Sequence, residues 1–203
     1  MLITGIRSKP VYAPLQPDLA GRYHVMVGHG VGAAPLARLL GELKAAAPAA
    51  LAHTRAWYVT DPASPQNNAD AFRAANVAEL RTFDAIDPLL ADLTAAMELA
   101  LMGTRLYVAG PESFMGLIMR IAHQFNLAGD EVRAEECGTM ARRVHCIHCR
   151  AIIEGVRTNI VECSCQRWLV VRDHYSRRLA AYMGVMVDAE APGERPDVKE
   201  VFL

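Results

Sequence analysis

The spacing of apolar residues changes character twice along this chain of 203 residues, and each change marks a boundary. Over residues 1–22 there is no period. Pro10, Pro14, Pro17 and Gly21 punctuate a stretch that predicts an extended arm, packed on the main domain or reaching a partner. From Tyr23 the pattern becomes regular. The run Tyr23–Val27 ends at glycines and predicts a buried strand. Leu36, Leu39, Leu40 and Leu43 then repeat at helical spacing over 34–46, stopped near Pro48. Strand signals recur at 56–59, 80–83, 106–109 and 132–134, separated by helical patterns around 69–76, over 88–102 and over 112–125. In the last of these, Phe114, Leu117, Ile118, Ile121 and Phe125 share one stripe. Strands alternating with helices at this spacing predict an open, mostly parallel sheet covered on both faces, so residues 23–136 read as one α/β domain.

Beyond Glu136 the helical rhythm stops. Residues 137–187 carry all five cysteines and short β-rich runs at 168–171 and 183–187, and residues 188–203 form an acidic tail that reads as solvated. Composition changes this picture little. With 52% hydrophobic and 21% charged residues, the chain can build one full core and a small satellite module. Its formal net charge of −1 gives no overall attraction to nucleic acid or anionic membranes. The most apolar stretch, Pro88–Met102, is broken by Asp92 and Glu98 and is shorter than the ~20 residues a membrane span needs. The first ten residues lack the apolar run of a secretory signal, and the crowded cysteines favour a reducing compartment, so a cytoplasmic protein is expected.

The strongest chemistry lies in the cysteines. Cys146-x2-Cys149 and Cys163-x-Cys165 form two close pairs separated by a short β-like excursion, the arrangement by which four thiolates converge on one ion. Such an ion supplies folding energy to a module too small for its own core. Zinc is the default; iron in a rubredoxin-like site accepts the same tetrahedral sulfur geometry. A [2Fe–2S] cluster suits this spacing less well. Disulfides or free thiols are the plain alternatives, and His145 and His148 flank the first pair as substitute ligands. Cys137 stands apart as a buried or boundary thiol.

Charge is unevenly placed around these cysteines. Eight arginines fall between Arg142 and Arg178 against three acids, Glu154, Glu162 and Asp173. With Trp168 and Tyr175 among them they admit a nucleic-acid reading, or equally a surface that docks on an acidic protein. The sequence Arg172-Asp173-His174-Tyr175-Ser176 holds a base, an acid and a hydroxyl, but neighbours in one strand point different ways and form no triad alone.

A second candidate site lies in the α/β domain. The first strand runs into Gly28-His29-Gly30-Val31-Gly32-Ala33-Ala34-Pro35, a glycine-rich strand-to-helix turn of the kind that lets backbone N–H groups approach a phosphate. A later strand ends in Gly110-Pro111-Glu112, and two such turns at carboxyl ends of strands can flank one nucleotide crevice. His29 reads as a solvent-facing turn residue with a phosphate contact as the alternative. Asp61 is either a turn former before Pro62 or a ribose ligand that favours NADH. Trp57 and Tyr58 read as core.

These residues carry a resemblance. VGHGVGAAPLARLL resembles the pyrophosphate loop of ferredoxin–NAD(P) reductase-type enzymes, and LYVAGPESFM resembles their glycine–proline turn beside the nicotinamide. The resemblance implies NAD(P)H at Gly28, Gly30, Gly32, Pro35, Gly110, Pro111 and Glu112. Two departures go with it: Ala109 stands where that family has a cysteine, and the preceding flavin-binding motif is absent, so no flavin is held in the family's manner. Over most of residues 8–187, the arm, the glycine loop, the cysteine ribbon and WLVVRDHYSRRLAAYMGV together resemble the small A-type subunit family of bacterial dimethylamine monooxygenase. That implies a subunit of an NAD(P)H- and O2-dependent oxygenase converting dimethylamine to methylamine and formaldehyde. Haem, flavin and an iron–sulfur cluster would then sit on partner subunits of a hetero-oligomer. The sequence itself assigns no catalytic acid, base or nucleophile. Two alternatives are an NAD(P)H-linked electron-transfer component with iron at the four cysteines, and a zinc-ribbon nucleic-acid binder.

Overall fold

The structure is a computed structural model that describes residues 8–61, 72, 74, 76–194 and 196–203. It divides into two compact units, residues 12–138 and residues 139–203, the second joined by 8–11.

The first unit is a five-stranded, wholly parallel sheet. Its strands are β1 (Tyr23–His29), β2 (Thr54–Val59), β3 (Glu79–Phe83), β4 (Thr104–Gly110) and β5 (Val132–Glu136), in the order β3-β2-β1-β4-β5. Helices α1 (Ala33–Ala46), α2 (Ile86–Glu98) and α3 (Glu112–Gln124) cover it. Alternation along each strand assigns the layers. Val25, Val27, Trp57, Val59, Leu106 and Val108 face α2 and α3, burying Leu89, Leu93, Phe114, Met115 and Ile118. Met26, Ala56, Tyr58, Tyr107 and Ala109 face Leu36, Leu39, Leu40 and Leu43 of α1. Both faces are therefore dry, which is why the strands read as continuous apolar runs. The sequence places a helix around 69–76; of those residues only 72, 74 and 76 are described.

The helix expected to run to Met102 stops at Glu98. Leu99–Met102 turn the chain back into β4: the Leu99 and Ala100 N–H groups bond to the Ala96 and Met97 carbonyls, and the Thr104 hydroxyl caps the Leu101 carbonyl at 2.7 Å. Leu99, Leu101 and Met102 consequently lie exposed, although their apolar character suggested a buried helical turn.

Within residues 12–20 the expected arm is a strap on the α1 face. Leu15 is only 2% exposed, with its N–H bonded to Glu135 at 2.6 Å and its carbonyl taken by Arg38. Arg105 pairs with Asp18, whose N–H donates to the Tyr107 hydroxyl, and Tyr107 stacks on the buried His24. Arg105 holds the Asp18 carboxyl below the usual range, and burial holds His24 below 6.5.

The second unit is a mixed five-stranded sheet of β6 (Arg142–Cys146), β7 (Ile152–Val156), β8 (Ile160–Glu162), β9 (Trp168–Ser176) and β10 (Ala181–Met186), ordered β7-β6-β10-β9-β8. Only β10 and β6 run parallel. Its buried residues form two small clusters, Val144, Val156, Val171, Tyr175 and Tyr182 in one and Cys146, Cys163 and Leu169 in the other. The tail also joins this unit. Glu200 bridges Thr158, and Phe202 lies over the Arg142 guanidinium at 3.8 Å while Tyr182 covers its other face at 3.9 Å. Arg142 is fixed there by Asp173 at 2.7 Å.

Two outcomes follow for the first unit. Leu15→Ala empties a buried site and should destabilise the α/β unit by about 2–4 kcal/mol in denaturant melts; a loss under about 0.5 kcal/mol would mean the strap is not packed. Because the folded pKa of His24 lies below its unfolded value, the unfolded chain binds the proton first. Stability should therefore be complete above about pH 6.5 and decline as pH falls below it. His24→Gln should flatten part of that slope, and an unchanged slope would remove His24 as its source.

Candidate metal centre

Both halves of the cysteine cluster sit at hairpin tips, one joining β6 to β7 and the other β8 to β9. In the first tip the Arg150 N–H returns to the Cys146 carbonyl and the Cys146 N–H bonds to Ala151, each at 2.9 Å. In the second the Gln166 N–H bonds to the Cys163 carbonyl at 2.8 Å and the Cys163 N–H to Arg167 at 2.9 Å. The plan is the same in both: a turn begins at a cysteine and closes through a left-handed residue, Arg150 at φ +66° and Gln166 at φ +64°. Glycine usually takes that conformation, so neither residue announces the turn in the sequence.

The tips bring all four Sγ atoms within 4.8 Å of one another. Cys146 and Cys165 are 3.9 Å apart, and Cys149 and Cys163 are 3.4 Å apart. An ion about 2.3 Å from each of four tetrahedral sulfurs sets their separations near ~3.8 Å, whereas a disulfide needs about 2.05 Å. The donor set therefore fits a four-thiolate ion and not a pair of disulfides. Among the described residues this cluster contains neither His145 nor His148. Cys137 belongs to the other unit. It is half-buried, its N–H bonds to Gly110, and burial with help from Glu135 and Glu136 pushes its thiol up to about 11.

Electrostatics point the same way. Burial pushes Cys165 up, but the Arg167 side chain and N–H outweigh it and hold the thiol down to about 6. The Ala151 N–H favours the Cys149 thiolate, yet Cys163 and the other thiols beside it drive Cys149 up to about 11. The Cys165 thiolate is favoured and the Cys149 thiolate opposed. A dication at the centre removes the opposition. Beneath the site, β10 joins the two hairpins, and Gly184 allows it: a Cβ there would come 2.8 Å from Val144 and 2.9 Å from Leu169, the apolar floor under Cys146 and Cys163.

The glycine loop is placed as expected, at the carboxyl ends of the adjacent strands β1 and β4. Its glycines are consumed by packing. A Cβ on Gly32 would overlap the Ala109 carbonyl, one on Gly28 would reach Leu36 at 2.7 Å, and Gly30, at φ +53°, lies against Asp61. The Tyr58 hydroxyl donates to the Gly30 carbonyl at 2.6 Å. Pro35 is buried in the first turn of α1, and Gly110 lies against His29 and Phe114. His29 is not solvent-facing. Its ring is half-buried on Phe114, and burial, opposed by Asp61, lowers its pKa below 6.5, so it brings no positive charge to the loop at neutral pH. Asp61 beside the loop and Glu112, buried at the start of α3, bring carboxylates instead.

Arg172–Ser176 lie along β9 and do not assemble a triad: Asp173 pairs with Arg142, and Tyr175 is buried edge-on against Tyr182. Tyr175 is thus unavailable to stack a base.

Several known proteins share parts of this chain. A curated relative, the heme-dependent oxidative N-demethylase delta subunit of Ectopseudomonas mendocina (strain ymp), is 32% identical over 114 residues, 56% of this chain and 65% of the relative. The chain thus matches slightly less than two thirds of that relative's length. Among solved structures, the Amycolatopsis cytochrome P450 reductase GcoB aligns at 14% identity over 63% of this chain and 42% of its own, with a TM-score of 0.45. A mutant ferredoxin–NADP+ reductase from Plasmodium falciparum aligns at 16% identity over 57% and 54%, with a TM-score of 0.41. The fold assignment rests on the strand order rather than on these likenesses. Family models for a dimethylamine monooxygenase subunit DmmA-like N-terminal domain and C-terminal domain match residues 4–132 and 143–185, and the chain belongs to that DmmA-like family.

Proposed function

We propose that this chain is a subunit of a multicomponent, haem-dependent amine oxygenase that oxidatively demethylates dimethylamine. Its own part is that of a metal-stabilised docking subunit. The observation that carries the reading is the convergence of Cys146, Cys149, Cys163 and Cys165 in a ribbon whose apolar core is too small to hold it alone. Those four thiolates would hold zinc, which supplies folding energy and no redox chemistry. The hairpin tips would then present a rigid surface to haem- and flavin-bearing partners. Cytoplasmic placement goes with thiols kept reduced; among the described residues no helix is long and apolar enough to cross a membrane.

The parallel sheet serves as scaffold in this reading. Its glycines already meet packing demands, and Asp61 and Glu112 set carboxylates at the crevice where a pyrophosphate would need positive charge. No step is assigned to a nucleotide on this chain.

Elemental analysis of the chain isolated from its host should find one zinc per chain and no iron, with no visible absorption. Stoichiometric iron with a coloured ferric spectrum would replace this reading with the electron-transfer one. Cys146→Ser or Cys163→Ser should lose the metal and unfold the ribbon while the α/β sheet keeps its thermal transition; a variant that stays folded without metal would contradict the structural role. Titration calorimetry with NADH and NADPH should give no saturable heat, and micromolar binding abolished by Gly32→Val would restore the nucleotide site. Affinity-tagged chain should bring down a haem-containing subunit from its host; recovery of the chain alone counts against membership of the complex.

A further inference from the structure

Next to the metal tips, the outward face of the ribbon holds a cavity of about 600 Å³, lined by His145, Ile147, Arg150, Ile152, Arg178 and Leu179. Its construction follows from the sheet. His145 and Ile152 are directly paired across β6 and β7, so their side chains share the face opposite the buried Val144. On that same face Arg143 is tied to Glu154 at 2.7 Å, and its guanidinium also donates to the Leu179 and Ala180 carbonyls at 3.1 and 3.2 Å. This clamp holds the turn between β9 and β10 beside β6 and so sets Arg178 and Leu179 on the cavity wall. The opposite wall is the first metal tip, where the left-handed Arg150 stands beside Ile147. Both arginines are exposed, and Ile147 is 46% exposed.

The lining is an aliphatic floor with a cationic rim. Among the described residues neither Arg150 nor Arg178 has an acid within ion-pair distance, since Glu154 and Asp173 are taken by Arg143 and Arg142. The His145 Nδ1 is buried and has no hydrogen-bond partner. Three aliphatic side chains at solvent, framed by two guanidinium groups, match a chain segment that offers one aliphatic residue beside one carboxylate. A polynucleotide matches less well: it would leave the aliphatic floor unused, and among the described residues no phenylalanine, tyrosine or tryptophan lines the cavity to stack a base.

We propose that this cavity is the seat for an acidic, aliphatic-bearing segment of a partner subunit, gripped between Arg150 and Arg178. The assignment rests on the proposed complex and gives it a contact point. The metal has a matching part, because it fixes the tip that carries Arg150.

The test uses the full-length tagged chain expressed in its host, reading haem recovered per chain by Soret absorbance, with zinc per chain as the folding control. Arg178→Glu should lower haem recovery about tenfold or more, the loss expected when one member of a desolvated charge pair is reversed. Arg178→Gln should fall between, and Arg150→Gln should weaken capture without loss of zinc. Arg177→Glu, a neighbouring exposed arginine outside the cavity lining, should stay within about twofold of the unaltered chain. Undiminished recovery with Arg178→Glu overturns the docking site while leaving the complex in place. No haem with the unaltered chain overturns the complex and the docking site together. Capture of nucleic acid in place of protein, lost on Arg178→Glu, overturns it in favour of a polyanion site.

Discussion

Four sulfur atoms held within 4.8 Å of one another are the constraint on which the second unit depends. Thiolates at that spacing repel, and thiols at that spacing give up the energy a metal would supply. The shared turn plan of the two hairpin tips, the left-handed Arg150 and Gln166, and the glycine in β10 all serve to bring the sulfurs together. The two small buried clusters of the ribbon leave little apolar burial to set against the conformational entropy of some 60 residues. An ion at the tips would close the gap between what this module can bury and what it must order.

That constraint separates the roles of the two units. The α/β unit has a dry core on both faces of its sheet and stands on hydrophobic burial. The ribbon has four sulfurs placed to hold a metal, the Arg142 guanidinium packed between Tyr182 and Phe202, and ion pairs that engage Glu154 and Asp173. With Glu154 paired to Arg143 and Asp173 to Arg142, Arg150 and Arg178 have no acid at ion-pair distance among the described residues. The basic character legible in the composition thereby becomes a surface with a direction.

Much of the first unit was legible because its signals are local. Tyr23–His29, Thr54–Val59 and Thr104–Gly110 are buried on both faces, so unbroken apolar runs mark them, and Leu36 to Leu43 repeat at one helical pitch. Helix α2 was overextended because Leu99–Met102 are apolar for no local reason; they make a turn whose shape is set by the entry to β4. In the ribbon, β6, β7 and β8 were not marked, although Val144 and Cys146 alternate with Arg143 and His145, because strands this short give too few repeats. The cysteine spacing announced which four sulfurs the fold brings together. The glycine loop shows the opposite case. Its composition suggests a phosphate cradle, and the structure adds a packing reason for Gly28 and Gly32, since Leu36 and the Ala109 carbonyl leave no room for a Cβ. The partners of a glycine are distant in sequence, so packing and binding glycines look alike until the neighbours are known.

X-ray absorption at the zinc edge on the purified native assembly reads whether four cysteine sulfurs hold one zinc ion. A single shell of four sulfur scatterers at about 2.3 Å is expected. A shell containing nitrogen or oxygen, fewer than four sulfurs, or an absorption edge belonging to iron instead of zinc would contradict it.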